Sequence, residues 1–159
     1  MGASYKQAVK DRYPAFVIFS PYGEMIPNPK SFLDLDESRK DEFGLPSARR
    51  HVWWSDNDKK IFADMQRWSR EILTAAGADI LQVYTEPRTN HELGGARMGS
   101  DPKTSVVDAN CQTHDVKNLF VVDGSVFPSA SEKNPTHTIM ALAARLADHI
   151  ADRGKKGEL

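Results

Sequence analysis

The chain has a single cysteine, Cys111, among its 159 residues, so it offers neither an internal disulfide framework nor a multi-cysteine metal site. Its 21 basic and 22 acidic residues nearly cancel, so no broad field attracts nucleic acid or an anionic membrane. The longest apolar run, 138–150, is interrupted by Arg145 and Asp148 and falls short of bilayer length. An N-terminal charged-then-apolar export pattern is also lacking. We therefore expect no nucleic-acid partner and no membrane segment.

Two common catalytic patterns are incomplete. A Ser125–His91–Asp123 hydrolase can be assembled from the residue types, but the Gly-x-Ser-x-Gly elbow of such enzymes does not occur. A metal site built from His91, His114 and His137 lacks the helical His-x-x-x-His pair that would anchor it. We expect neither hydrolase chemistry nor a bound metal.

The alternation of apolar and polar residues predicts a mixed α+β fold. Short apolar or alternating runs bounded by proline or glycine are typical of strands. On that basis we predict strands at 15–19, 31–36, 50–54, 78–85 and 119–122. The polar stretch 37–46 predicts a surface loop, and the glycine-rich stretch 86–106 predicts an irregular segment. Irregular stretches of that length are usually functional or docking elements.

Two helices are predicted. The first runs from about 57 to 76, with Ser55 or Asp56 as its cap and a glycine directly after it. Its apolar face consists of Ile61, Phe62, Met65, Trp68, Ile72, Leu73 and Ala76. The second helix runs from about 135 to 154. Its apolar residues cover much of the circumference, which implies deep burial against a partner layer.

Two short segments carry chemically useful side chains. His91 lies among glycines that let the backbone approach something flat or bulky, although a tight turn with a solvated histidine is an equally simple interpretation. Asp123 and Gly124 follow the predicted strand 119–122, and carboxylates at strand ends often border ligand crevices. The alternative is an aspartate that caps its own turn.

The start of the last helix combines Asn134, Pro135 and Thr136. Unpaired first-turn amides carry the positive end of the helix dipole, so they can hold an anion or an electron-rich ring. Proline suits the first helical position because it has no N–H to leave unpaired. Asn134 taken alone also fits a simple N-cap. His137, in the first turn of the helix, is interpreted either as a second acid–base group or as a packing residue.

The order of these segments is more specific than any one of them. His-x-x-Gly-Gly-x-Arg-Met-Gly at 91–99 precedes Val-Val-Asp at 106–108, Asn-Leu-Phe-Val-Val-Asp-Gly-Ser at 118–125 and Asn-Pro-Thr-x-Thr-Ile-x-Ala-Leu-Ala at 134–143. This order resembles the C-terminal part of the glucose-methanol-choline (GMC) family of flavin oxidoreductases. The resemblance is close over 90–150 and looser upstream. The Asn-Pro-Thr variant is closest to members that act on sugars, polyols and sugar acids.

The resemblance implies a division of the chain into two parts. Residues 1–89 would form part of a substrate-binding domain, and residues 90–159 would form a strand–helix segment that returns to an FAD-binding domain. The family's nucleotide-binding turn, Gly-x-Gly-x-x-Gly after a strand, does not occur in the chain. The fold is therefore expected to be incomplete relative to the family and to need an N-terminal nucleotide-binding half as its partner.

The resemblance also implies a role for each site residue. His91 would be the base that takes the proton of the substrate hydroxyl, while the reacting carbon gives its hydride to the flavin; histidine titrates near neutral pH, which suits that role. Asn134 would hold the substrate oxygen, since an amide is not a strong base. The helix start would favour the charge that develops on the reduced flavin. The implied cofactor-binding residues are Asp123, Gly124, Asn134, Pro135 and Thr136.

The expected function is oxidation of a hydroxyl group on a sugar, polyol or sugar acid, with FAD as cofactor. The alternative is a non-catalytic remnant or interaction module that keeps the family fold without independent activity. For localisation, the cytoplasm is the default expectation, and the periplasm follows if an export signal lies in the missing half. Residues that would distinguish an oxidase from a dehydrogenase are not evident in the sequence.

Overall fold

The computed structural model describes residues 2–158 as a small mixed α/β domain. Its regular elements, in chain order, are α1 (Ala3–Arg12), β1 (Phe32–Lys40), β2 (Pro46–His51), α2 (Asp56–Ala75) and α3 (Thr136–Lys155). Single 3₁₀ turns occur at Tyr13–Ala15 and Gly124–Val126. The predicted combination of helices and strands is confirmed, and the predicted return to an FAD-binding domain remains an expectation.

The strands β1 and β2 form an antiparallel hairpin. Phe32 pairs with His51, and the register runs regularly to Asp36 opposite Ser47 before a bulge near Lys40. The predicted strand 31–36 is confirmed and extends to residue 40, so part of the predicted loop 37–46 is strand. The predicted strand 50–54 is wrong beyond residue 51, because β2 covers Pro46–His51 instead.

The two faces of β1 are the reverse of what its alternation suggests. Leu33 and Leu35 are 69% and 59% exposed, whereas Asp34 and Asp36 on the opposite face are half-buried. The aspartates are covered because Asp34 bonds with Arg49 and His51 across the hairpin, and Asp36 bonds with Ser38. The apolar face of the hairpin is therefore left open to solvent.

Helix α2 lies within one residue of its predicted bounds. The Ser55 hydroxyl accepts from the amide of Asp58, and the Asp58 carboxylate accepts from the amide of Ser55, which makes a capping box. Gly77, with φ of +72°, follows the helix end, as a C-terminal glycine stop requires. The predicted apolar face is only partly covered, because Trp68 and Ile72 remain about half exposed.

Three predicted strands do not form as strands in the described residues. Residues 16–19 follow the first 3₁₀ turn without pairing, and Phe16, Val17 and Ile18 are at least 60% exposed. Residues 78–85 are irregular, although the carbonyl of Tyr84 accepts a hydrogen bond from the Gln66 amide. The predicted strand 119–122 is reduced to one bridge, between Gln112 and Phe120. Helix α1 was not predicted, because its exposed residues show no apolar stripe.

Between α2 and α3, residues 98–126 form a loop-rich unit around a small core. Isolated bridges join Met98 to Val107 and Val107 to Thr113. The buried apolar side chains in the described residues are Val107, Cys111, Val126 and, from α3, Leu146. Arg145 of α3 donates to the carbonyl of Ala109, which ties the helix to this unit. Leu146 is the buried residue of α3 in the described chain, and Met140 is 62% exposed, so the predicted deep burial of the helix against a partner layer is not observed within residues 2–158.

The chain exposes far more surface than its size requires. A compact monomer of 17.8 kDa exposes about 8,000 Å². The described structure exposes 12338 Å², about half as much again. The exposed large apolar side chains include those of 16–19, Leu33 and Leu35 of β1, and Met140 of α3. None of the helices within residues 2–158 has the length and apolar character that crossing a bilayer requires.

Candidate active site

The segment that carries His91 has an unusual backbone. His91 has φ of +55°, a left-handed conformation that costs a non-glycine residue of the order of 1 kcal/mol, and Gly94 and Gly95 that follow also have positive φ. The exposed imidazole stacks on Tyr22, with ring centroids 6.0 Å apart and planes inclined by 18°. The amide of Asn90 donates to the Tyr22 hydroxyl at 3.3 Å. Non-glycine residues held in such conformations are frequent at functional sites.

Gly124 joins the His91 segment to α3. The amide of Gly94 donates to the Gly124 carbonyl at 3.2 Å. A β-carbon at residue 124 would lie 2.7 Å from Cδ2 of Leu93 and 3.6 Å from Cδ1 of Ile139. These contacts leave no room for a larger side chain while Leu93 keeps its place. The structure therefore packs three of the four motifs of the sequence against one another at this glycine.

Asp123 occupies the cap of the 3₁₀ turn Gly124–Val126. Its Oδ1 accepts from the amide of Ser125 at 2.7 Å, so the interpretation of an aspartate that caps its own turn is confirmed. Hydrogen bonds from the Ser125 hydroxyl and amide hold the pKa of the Asp123 carboxyl below its ordinary value. The side chain is exposed and faces the wide concavity described below, so capping and ligand binding do not exclude each other.

Helix α3 begins at Thr136, one residue later than the sequence suggests. Pro135 is the N-cap, and its carbonyl accepts from the amide of Ile139 at 3.0 Å. No side-chain cap bonds to the first turn, so the interpretation of Asn134 as a simple N-cap is wrong. The amides of the first turn have no carbonyl one turn earlier to accept from them. Asn134 and Thr136 are exposed beside these amides, which leaves this end of the helix accessible to a ligand.

Two open spaces adjoin these residues. Asn134, Pro135 and Thr138 line a small cavity of about 160 Å³. His91, Asp123 and Gly124 border a much wider concavity of about 2630 Å³. Leu93 and Phe127 border both spaces and so connect them. Within residues 2–158, His91 and Asn134 make no hydrogen bond to each other. His91 lies two residues before Leu93 in the chain, and Asn134 lines the small cavity together with Leu93.

Several contacts at the site were not found from the sequence. Tyr22 lies 69 residues before His91, and only its aromatic character could have indicated a contact with that histidine. Arg50 of β2 donates to the Thr89 hydroxyl and to the Glu92 carboxylate on either side of His91. His114 bonds to Ser105 at 2.9 Å. His91, His114 and His137 are not brought together, and no cluster of three or more metal-ligating side chains exists in the described part of the chain.

The described residues suit one end of a flavin and not the other. The first turn of α3 offers accessible amides with positive character, which suits a group that becomes negative on reduction. The Asp123 turn and Gly124 lie on the adjoining segment. The chain has no glycine-rich nucleotide-binding turn for the adenosine end.

Comparison with known proteins identifies the family. The model of GMC oxidoreductase matches residues 27–143, which include the His91 segment, the Asp123 turn and the start of α3. The chain belongs to the GMC oxidoreductase family. Members of this family are generally flavin-dependent, and they include sugar and alcohol oxidoreductases that act on CH–OH groups.

Individual relatives show how much of a GMC protein is present. The chain is 36% identical to 2-methyl-1,2-propanediol dehydrogenase of Mycolicibacterium austroafricanum, over 96% of the chain and 28% of the relative. It is 34% identical to the gluconate 2-dehydrogenase flavoprotein of Pantoea cypripedii, over 96% of the chain and 26% of the relative. The fructose dehydrogenase large subunit of Gluconobacter japonicus is also 34% identical, over 84% and 25%. The chain spans about a quarter of the length of these curated GMC relatives.

Proposed function

We propose that this chain supplies the proton-abstracting wall of an FAD-dependent oxidoreductase that oxidises a hydroxyl group of a sugar, polyol or sugar acid. The observation that carries the proposal is the packing of three family motifs at Gly124, where the His91 segment meets the Asp123 turn and α3. The names of the relatives support the substrate class, since they include a gluconate dehydrogenase, a fructose dehydrogenase and a propanediol dehydrogenase.

In this proposal His91 accepts the proton of the substrate hydroxyl. Its imidazole is exposed and its position is restricted by the strained backbone and by Tyr22, so the ring is available to a substrate without a large rearrangement. Asn134 holds the same substrate oxygen by its amide and orients the reacting carbon. FAD, when bound, supplies the hydride acceptor. Pro135 and Thr136 present the backbone of the first turn of α3 to the cofactor, and the segment Asp123–Gly124 lies along it.

The same proposal assigns a partner to the open surfaces. The concavity of about 2630 Å³ exceeds the roughly 300–1,000 Å³ typical of small-molecule sites, so a substrate alone would not fill it. The surface beyond that of a compact monomer, about 4,000 Å², exceeds the roughly 1,000–2,500 Å² that each partner of an obligate interface buries. We infer that the nucleotide-binding part of a GMC protein, on the same polypeptide or on another, covers these surfaces. Residues 1–89 would then belong to the substrate side and residues 90–159 to the cofactor side.

The proposal is tested by reconstitution. The 159-residue chain is mixed with a polypeptide comprising the part of the Pantoea cypripedii flavoprotein that the chain does not match, and with FAD, and the complex is isolated by gel filtration. We expect flavin absorbance to co-elute with both polypeptides and to bleach anaerobically when a sugar, polyol or sugar acid is added. The chain alone is expected to retain little flavin.

His91→Ala in the reconstituted complex provides the mechanistic test. Removal of a general base lowers rates by about 10²- to 10⁴-fold, so substrate-driven bleaching should slow by that factor while flavin content is unchanged. A loss of less than about threefold would sink the assignment of His91. If the complex forms but binds no flavin and is not reduced by any sugar, polyol or sugar acid that is added, the chain is a non-catalytic remnant or interaction module.

A further inference from the structure

The segment that carries His91 is tied to the β-hairpin by one arginine. Nη1 of Arg50, on β2, donates to Oγ1 of Thr89 at 3.1 Å and also bonds to the Glu92 carboxylate. The Thr89 hydroxyl in turn donates to Oε1 of Glu92 at 2.9 Å. The three side chains form a closed triangle, which we name the Arg50 clamp. Two of its members flank His91 in the chain, one two residues before it and the other directly after it.

The backbone at His91 needs such a restraint. A left-handed non-glycine residue is retained only when its surroundings fix it, and His91 lies in an exposed, irregular segment without helix or strand bonds. The Asn90 bond to Tyr22 fixes one side of the segment, and the Gly94 bond to Gly124 fixes the far end. The Arg50 clamp acts between these two points, directly beside the imidazole.

The charged groups of the Arg50 clamp orient the His91 segment more than they stabilise the fold. The amide of Glu92 itself, then the Thr89 hydroxyl and the Arg50 guanidinium, hold the pKa of the Glu92 carboxyl below its ordinary value of 4.5. Glu92 is therefore ionised throughout the neutral range. Arg50 and Glu92 are both about half exposed, and a pair with that exposure contributes little to the free energy of unfolding. The clamp instead restricts the position of the segment, because Nη1 of Arg50 bonds to both Thr89 and Glu92.

The neighbouring arginine makes a contrasting contact. Arg49 points to the other face of β2 and forms a two-pronged bond with Asp34, at 2.9 and 2.7 Å, inside the hairpin. It has a similar exposure, at 50%, but no described contact with the His91 segment. Removal of Arg49 therefore perturbs an ion pair of the same strand without touching the candidate base, which makes it a matched control.

We propose that Arg50 is a positioning residue for His91, acting through Thr89 and Glu92 to hold the imidazole where it can take the substrate proton. The proposal rests on the proposed function, because it assumes that His91 is the base. It adds a link from the substrate-side hairpin to the catalytic segment, so that the position of the base depends on the placement of β2.

The first test measures the order of the His91 segment and does not depend on enzyme activity. In the 159-residue chain, ¹⁵N relaxation reports the order of the His91 and Glu92 amides, and hydrogen exchange reports the Gly94 amide, which bonds to Gly124. Arg50→Met should lower the order of both amides and speed exchange of Gly94 by about threefold or more. Arg49→Met should leave all three signals unchanged. Unchanged signals in Arg50→Met would overturn the proposal.

The second test uses the reconstituted complex with FAD. Small displacements of catalytic groups cost up to about a hundredfold, so Arg50→Met should slow flavin reduction at saturating substrate by about ten- to a hundredfold. The half-saturating substrate concentration should stay within about threefold, because the clamp does not touch substrate. The charge-swapped variant Arg50→Glu/Glu92→Arg should recover at least a third of the lost rate, while Arg49→Met should stay within twofold of the unchanged protein.

The outcomes separate this proposal from the one on which it rests. If His91→Ala slows reduction and Arg50→Met does not, the function stands and the clamp is refuted. If Arg50→Met loosens the segment but neither variant slows reduction, the base assignment fails and the positioning role fails with it. Equal losses in Arg50→Met and Arg49→Met would show general damage to the hairpin and would also refute a specific clamp.

Discussion

Replacement of Gly124 by alanine tests the packing that brings the motifs together. The backbone of Gly124 does not have a positive φ, so alanine is tolerated conformationally and only its β-carbon matters. That atom would lie 2.7 Å from Cδ2 of Leu93, against an optimal carbon–carbon separation of about 3.5–4.0 Å. The contacts with Ile139 and with the Glu92 carbonyl, both at 3.6 Å, are ordinary. The Leu93 methyl group must therefore retreat by about 1 Å.

The free-energy cost of Gly124→Ala depends on how freely the Leu93 side chain can move. Leu93 is half-buried and the clash is with the far end of its side chain, so a shifted rotamer relieves part of it. Overpacking costs of about 1–3 kcal/mol are general, and we expect about 1–2 kcal/mol here. For a chain of this length that corresponds to a melting temperature lower by about 3–6 °C. Leu93 is two residues from His91, so flavin reduction in the reconstituted complex should also slow, by about tenfold.

A double-mutant cycle isolates the contact. Leu93→Ala removes the clashing methyl group, so Gly124→Ala/Leu93→Ala should be more stable than the sum of the single changes by about 1 kcal/mol, measured by thermal unfolding. Gly2→Ala, where a β-carbon would meet nothing within 4 Å, serves as the control and should leave the melting temperature within 1 °C. Strict additivity of the two changes, or no loss in Gly124→Ala, would refute the packing argument.

Three further predictions concern separate parts of the chain. Asn134→Ala should slow flavin reduction less than His91→Ala does, because the amide positions the substrate oxygen without taking its proton; a larger loss would contradict that division of roles. The Arg49 hydrogen bond, with His51 behind it, lowers the pKa of Asp34 to about 2, so its contribution to stability is complete above the ordinary 3.8 and is lost as pH falls towards 2; ¹³C carboxyl titration should show the Asp34 pKa rising towards 3.8 in Arg49→Met. Ser55→Ala removes the capping hydroxyl of α2 and should cost about 1 kcal/mol by thermal unfolding, with Ser100→Ala, at an exposed serine whose hydroxyl makes no described hydrogen bond, as the comparison.

Helices α2 and α3 could be predicted because their signals are local. The apolar repeat, the Ser55 cap and the glycine after Ala76 together place α2 within one residue. Strands depend on a neighbour, and the run 16–19 has the composition of a strand without a strand beside it in the described residues. The alternation of apolar and polar residues in β1 predicted a strand, but it did not predict which face of that strand is covered. Which face is covered was decided by Arg49 and His51 from across the hairpin.

The site shows the same limit. The order of four motifs was enough to propose His91, Asp123 and Asn134 as candidate site residues, because motif order is a property of the sequence. The Arg50 clamp joins residues separated by 39 and 42 positions, and an arginine in a polar strand has no local mark of that role. Tyr22 is similar, since its contact with His91 arises only when a distant irregular segment folds back.

The open leucine face of β1 has a consequence for the amounts of protein in a cell. If the proposed partner is a separate polypeptide that covers Leu33 and Leu35, each copy of the chain that lacks it exposes an apolar strand face to other proteins. Such copies are substrates for chaperones and proteases, so surplus chain would be removed and would not accumulate. The level of assembled protein would then follow whichever of the two components is made more slowly.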